Sequence, residues 1–146
     1  MNTMTQVTYA GFWIRTGAAI IDSILLLLVI LPAVAAIYDI SIVSALFVSG
    51  GLSGALLNYL FPAVAIMLFW IYKSATPGKL LTHTTIVDAN TGEKPTPKQF
   101  LIRYVGYYLA MLPLFLGIIW VGVDKRKQGW HDKLAQTVVI KSPASK

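Results

Sequence analysis

The chain has 146 residues, of which 56% are hydrophobic and only 12% charged, with a formal net charge of +6 and no cysteine. About a quarter of the residues in a soluble domain are charged, so the polar complement here is too small to wet the surface of a chain this long. The basic residues fall in short blocks flanking apolar runs, beginning at Lys73 and Lys125. That layout fits cytoplasmic loops and anionic lipid headgroups and argues against nucleic acid as a partner. Without a thiol there is no disulfide framework, thiolate metal site or thiol-linked lipid.

In chain order, the first apolar run covers residues 17–38. Its start resembles a signal peptide, with Arg15, the stretch Ile20 to Leu31 and a small-residue sequence after Pro32. Asp22 inside the stretch and the lack of any Lys or Arg before Arg15 count against cleavage. The second run covers 52–72 and the third 104–123. Each holds about 20 residues, enough at 1.5 Å per residue to cross a hydrocarbon core of about 30 Å. They lack strand-type alternation and are apolar all round, so they read as helices.

The loop Asp39 to Gly51 has no basic residue, whereas the loop 73–103 holds Lys73, Lys79, Lys94, Lys98 and Arg103. The positive-inside rule then places the amino terminus and loop 73–103 in the cytoplasm. The third run conflicts with that rule if it crosses once, because it would export the basic tail 124–146. A break at Pro113, giving two half-length helices folded back on each other, returns the tail to the cytoplasm. The stretches near 84–88 and 137–141 are β-branched and short, and pairing them requires both to lie on one side. A single crossing remains the competing topology.

Between those points, Asn90–Thr91–Gly92 supplies turn chemistry, Pro95 and Pro97 interrupt regular structure, and Pro97 suits the first turn of the next helix. Thr76–Pro77–Gly78–Lys79 reads as a plain stop to the second helix. Gly50–xxx–Gly54 is a weak close-packing motif, more simply a flexible entry to the second helix. The residues from Ser142 to Lys146 read as a frayed end.

Asp22 is the most informative position. A carboxylate well inside a spanning helix costs about 2.5–3.5 kcal/mol and is expected to face protein or a wet cavity. Arg15, seven residues earlier, falls about 20° short of two turns, so both project from one face, roughly 10 Å apart along the axis. Either Arg15 snorkels to headgroups while Asp22 bonds to a neighbouring helix, or Asp22 marks an ion or proton site. Arg103, Asn58 and the tyrosines are its candidate donors. In the tail, His131 beside Asp132 reads either as a proton relay or as a loop tied down by Asp132. His83 and His131 have no metal-ligand spacing, and the sequence carries no nucleophile elbow or phosphate loop, so no catalytic residue, metal or cofactor is expected and an enzyme is disfavoured.

Taken together, Tyr9–Ala10–Gly11–Phe12–Trp13–Ile14–Arg15, Ala18–Ala19–Ile20–Ile21–Asp22, Thr76–Pro77–Gly78–Lys79, Ile86–Val87–Asp88 with Gly92, Arg103, and Gly129 through Val139 resemble the RDD family of small bacterial membrane proteins, named for one arginine and two aspartates. The resemblance spans nearly the whole chain and implies that the signature residues are Arg15, Asp22 and Asp132. Gln136 stands where the family often has glycine, and Thr82–His83 replaces a glycine-containing strand entry. The resemblance implies one all-α membrane domain over 1–146, multi-pass in the plasma membrane. It suggests transport in general, with cation/proton antiport proposed for some members. The expected function is therefore a transporter coupling a cation or proton through Asp22, with Arg15 setting its electrostatics and Asp132 ordering the cytoplasmic end. With so few helices, a homo-oligomer or a membrane-protein partner would have to complete a path. The alternative is a non-transporting accessory protein whose charges lock the fold or dock a partner.

Overall fold

A computed structural model describes residues 7–41, 44 and 51–142, with the side chain of Ser53 outside the description. Gly50, and so the proposed Gly50–Gly54 motif, lies outside the described residues, as do most of the loop before it and the tail after Ser142.

Helix α1 runs Phe12–Tyr38 and starts five residues before the expected span, adding a turn that carries Arg15. A second helical stretch is made of α2 (Gly51–Ala55), a π-helical segment (Leu56–Leu60) and α3 (Phe61–Lys73). The π segment has a cause in Pro62, which cannot donate to the carbonyl four residues back; the preceding residue, Phe61, bonds instead to Leu56, five back. Helix α1 and the stretch Leu56–Lys73 are each long and apolar enough to cross a membrane.

The third run differs most from a simple span. Helix α5 (Pro97–Met111) begins seven residues before the expected boundary, and α6 (Leu116–Val123) follows at a bend of 101°. Pro113 lies in the corner, and Leu114 (φ 53°) and Phe115 (φ 61°) adopt left-handed backbone there, turning the chain where proline ends the ladder. The pair is neither one straight crossing nor a closed hairpin. Among the described residues there are two helices long and apolar enough to cross a membrane, or three such segments if the bent pair is one broken span. The early start of α5 was legible in Thr96–Pro97–Lys98–Gln99. Thr96 Oγ1 accepts from Gln99 N (3.3 Å) while Gln99 Oε1 accepts from Thr96 N (2.9 Å), a capping box with proline at the first turn.

Strand β1 (Thr84–Asp88) pairs antiparallel with β2 (Thr137–Lys141), Thr84 opposite Lys141 and Asp88 opposite Thr137. The other edge of β2 is covered by residues 8–10, through Ala10 N to Val139 O and Lys141 N to Thr8 O, both 2.8 Å. Residues 8–10, the loop that carries β1 and strand β2 are thereby held at one end of the bundle. A core of Ala10, Trp70, Ile86, Phe100 and Val139 sits under the sheet, while Ile30 and Val34 pack with Leu57 near the far end. Much of the remaining helix surface is exposed and apolar, as at Leu28 and Leu112, which suits lipid.

Both departures from the resembled family fall on left-handed backbone, His83 at φ 51° and Gln136 at φ 53°. Glycine takes that conformation freely, whereas other residues lose about 1–2 kcal/mol. Gln136 is exposed and the bonds it makes to Ala89 and Gln99 use its backbone carbonyl. Gln136→Gly is expected to raise stability by about 1 kcal/mol, read as a higher midpoint of thermal unfolding in detergent.

Candidate functional site

The amino-terminal turn of α1, the second turn of α5 and the short helix α7 (Trp130–Leu134) meet beneath the sheet. Asp132, fully buried, lies between two arginines. One oxygen, Oδ2, accepts from Arg15 Nη1 and from Gly129 N (3.0 Å), and Oδ1 accepts from Arg103 Nη1. Each arginine spends its other donors nearby. Arg15 donates to Ala10 O (3.0 Å) and Lys127 O (2.5 Å); Arg103 donates to Thr137 Oγ1 (2.8 Å) and Tyr107 Oη (3.4 Å). The Arg103 guanidinium also lies 5.5 Å from the Trp70 ring and 5.6 Å from that of Tyr107, within cation–π range. Gly106 makes the approach of α7 to α5 feasible, since a Cβ there would come within 2.9 Å of the His131 Cα.

Burial alone would raise the Asp132 pKa, but the guanidiniums of Arg103 and Arg15 outweigh it and hold the carboxyl well below its ordinary value. His131 goes the other way. Its ring stacks on Tyr107 at 3.8 Å and is buried, and burial pushes its pKa down to about 3 against the pull of Asp132. The ring is neutral near pH 7, which removes the basis for a relay titrating near neutrality. Lys79, on α4 (Pro77–Leu81), is buried in the same region and its pKa is lowered, first by desolvation.

Asp22 is held elsewhere. Its Oδ2 accepts from Thr76 Oγ1 (2.5 Å) and its Oδ1 from Gly78 N (2.7 Å), so the carboxylate clamps α1 to the start of α4. Gly78 is required for this contact, because a Cβ there would stand 2.1 Å from the Ala18 carbonyl oxygen. Asp22 also closes one end of an open groove of about 320 Å³ between α1 and α3, whose remaining walls are almost wholly apolar.

Two readings of the sequence are corrected by this geometry. The partner of Arg103 is Asp132, not Asp22, because the tail returns across α5 and brings the second aspartate to it. Thr76–Pro77–Gly78–Lys79 is more than a helix stop, since it supplies both donors to Asp22. Asn58 lies in the π segment, fifteen residues before Lys73, and the two bonds of Asp22 described above come from Thr76 and Gly78. Arg15 and Asp22 do share a face of α1, but each is satisfied by a different element. Sequence reasoning missed Lys79 and Tyr107 as parts of the buried cluster; ordinary aromatic and lysine positions carry no mark of what folds over them. Among the described residues no cluster of His, Asp or Glu is arranged to hold a metal.

The model of the RDD family matches residues 9–136. The chain belongs to the RDD family. The matched span contains Arg15, Asp22, Arg103 and Asp132, and every bond of the buried cluster just described except the pairing of Arg103 with Thr137. The RDD chain is also 40% identical over 74 residues to the uncharacterized protein RP437 of Rickettsia prowazekii strain Madrid E, an alignment covering 51% of this chain and 40% of that relative. No solved structure matches it.

Two outcomes are expected from this RDD cluster. Asp132→Asn leaves a fully buried guanidinium at Arg103 without its counter-charge, a change that costs about 3–5 kcal/mol, visible as loss of the monodisperse peak in detergent or a sharply lowered unfolding midpoint. His131 gives a pH dependence. Its pKa is depressed in the folded state, so between pH 6.5 and about 3 the unfolded chain binds more protons and stability falls with pH. Lowering pH from 7 to 5 is expected to remove about 2 kcal/mol, and His131→Phe, which keeps the stack, should abolish most of that dependence.

Proposed function

We propose that this RDD protein is a membrane transport component that takes up its substrate at Asp22, at the cytoplasmic edge of the bilayer. The observation that supports the reading is the open groove between α1 and α3, which ends on that carboxylate. An ionisable residue within a membrane-spanning helix is by default read as marking a substrate or ion pathway. On this reading Arg15, Arg103 and Asp132 form the fixed cytoplasmic frame, and Asp22, on α1 seven residues from Arg15, is the group that meets the substrate. The amino terminus, loop 73–103 and tail face the cytoplasm of the plasma membrane, in keeping with their basic residues, and the bent pair α5–α6 enters the bilayer and returns. Two long helices and a bent pair enclose no passage, so a second copy or a larger membrane protein completes the path.

A specific observation favours the rival reading, an accessory protein that moves nothing. Both oxygens of Asp22 already accept hydrogen bonds that fasten α1 to α4, as those of Asp132 do for α1, α5 and α7. Proteoliposomes loaded with a pH-sensitive dye separate the two. Transport predicts cation-driven proton movement that Asp22→Asn abolishes while the unfolding midpoint stays near that of the unmodified protein. Absence of flux for sodium, potassium and organic cations alike, with one membrane protein co-purifying in stoichiometric amount, would decide for the accessory role.

A further inference from the structure

We infer that the groove between α1 and α3 is a binding site for a lipophilic organic cation, with Asp22 as its counter-charge. The inference rests on the reading that Asp22 meets the substrate, but it does not require that the substrate be moved. The groove's volume of about 320 Å³ is at the small end of sites for drug-sized molecules. Leu25 and Val29 on α1 face Ala65 on α3 across it, all within the two segments long and apolar enough to span a membrane. An occupant must therefore be largely apolar and can arrive laterally from the bilayer.

Its polar end narrows the class further. Asp22 is the one ionisable side chain among the lining residues, beside the neutral Thr76 and Pro77. An anion there would be repelled, and an acyl tail would leave the carboxylate facing hydrocarbon. A small inorganic cation fits poorly as well, because it needs several oxygen ligands at short range. The lining supplies the Asp22 oxygens, which already accept from Thr76 and Gly78, and few other polar atoms. A bulky cation with spread charge needs no inner shell of oxygens and loses little on leaving water. Phe69 lines the same groove on α3, with Phe61 eight residues or about 12 Å farther from the carboxylate end, and both are partly exposed. A groove lined by aromatic rings and ending on a carboxylate suits quaternary and phosphonium-type cations, through cation–π attraction added to charge pairing.

The test titrates tetraphenylphosphonium into the full chain in phosphatidylcholine nanodiscs and follows binding by calorimetry. Saturable binding of about one cation per chain is expected, weakened about tenfold or more in Asp22→Asn. Tetraphenylborate, the same shape with opposite charge, should neither bind saturably nor compete. Ala65→Trp fills the groove without touching the bonds of Asp22, and should lose binding while keeping its unfolding midpoint. It carries the decision with the borate control if Asp22→Asn does not fold. The inference is overturned if the unmodified protein shows no saturable binding, if both ions bind alike, or if a well-folded Ala65→Trp binds as before. Displacement of the phosphonium by phosphatidylethanolamine in the disc would also overturn it, in favour of a lipid amine headgroup. Saturable, Asp22-dependent binding without any flux in proteoliposomes would uphold this site while removing the transport reading.

Discussion

Asp132 carries one negative charge buried from solvent, and it is tolerable there because two arginines from distant parts of the chain reach it. The requirement is mutual. Arg103 is itself fully buried on α5, where an unpaired guanidinium would be several kcal/mol out of place. Arg15 is only slightly exposed and uses its remaining donors on the Ala10 and Lys127 carbonyls. The carboxylate thus joins the start of α1, the second turn of α5 and the returning tail at one point. Buried charge of this kind is weak evidence for net stability. Its force lies in geometry, since few arrangements of these elements would satisfy all three groups together.

The rest of the fold follows from bringing the tail back to that point. The corner at Pro113, with two left-handed residues after it, redirects the chain by 101°, and Gly106 lets α7 lie close on α5. Once the tail is there, β2 has an edge on each side to pair with, β1 on one and residues 8–10 on the other. The strand that would otherwise expose its hydrogen-bonding groups is covered on both edges. Sheet and ion cluster therefore support each other, and both are at the end of the bundle where the basic loops gather.

The two aspartates Asp22 and Asp132 have different surroundings. Asp132 is enclosed, doubly paired with cations and fixed. Asp22 is bonded only by neutral donors, one hydroxyl and one backbone amide, and it borders an opening into the apolar groove. Asp132 is flanked by two guanidiniums, whereas Asp22 is bonded by a hydroxyl and a backbone amide and interacts electrostatically with Lys79 on α4. That contrast is the physical reason to look for function at Asp22 and for architecture at Asp132.

Hydrophobic content, run length and charge placement sufficed, from the sequence alone, for a membrane protein with helical spans, a break near Pro113 and a pairing of the segments near 84–88 and 137–141. These are local or compositional properties, and each leaves its trace in a short window of residues. Arg15 and Asp22 could be singled out in the same way, because a charge within or beside an apolar run is conspicuous, whereas Asp132, in a polar stretch, was marked by its neighbour His131 and by the resemblance to the RDD family. Which arginine meets which aspartate was not legible. By sequence Arg103 is one candidate donor to Asp22 among several, on the premise that their helices pack with cytoplasmic ends together. The tertiary structure decided otherwise, because the bend after α5 delivers Asp132 from 29 residues downstream to that arginine, and Thr76 with Gly78 reach Asp22 first. The burial of Lys79, the stacking of His131 on Tyr107 and the groove between α1 and α3 likewise depend on contacts between elements far apart in the chain, and such contacts are set by packing and not by any local pattern.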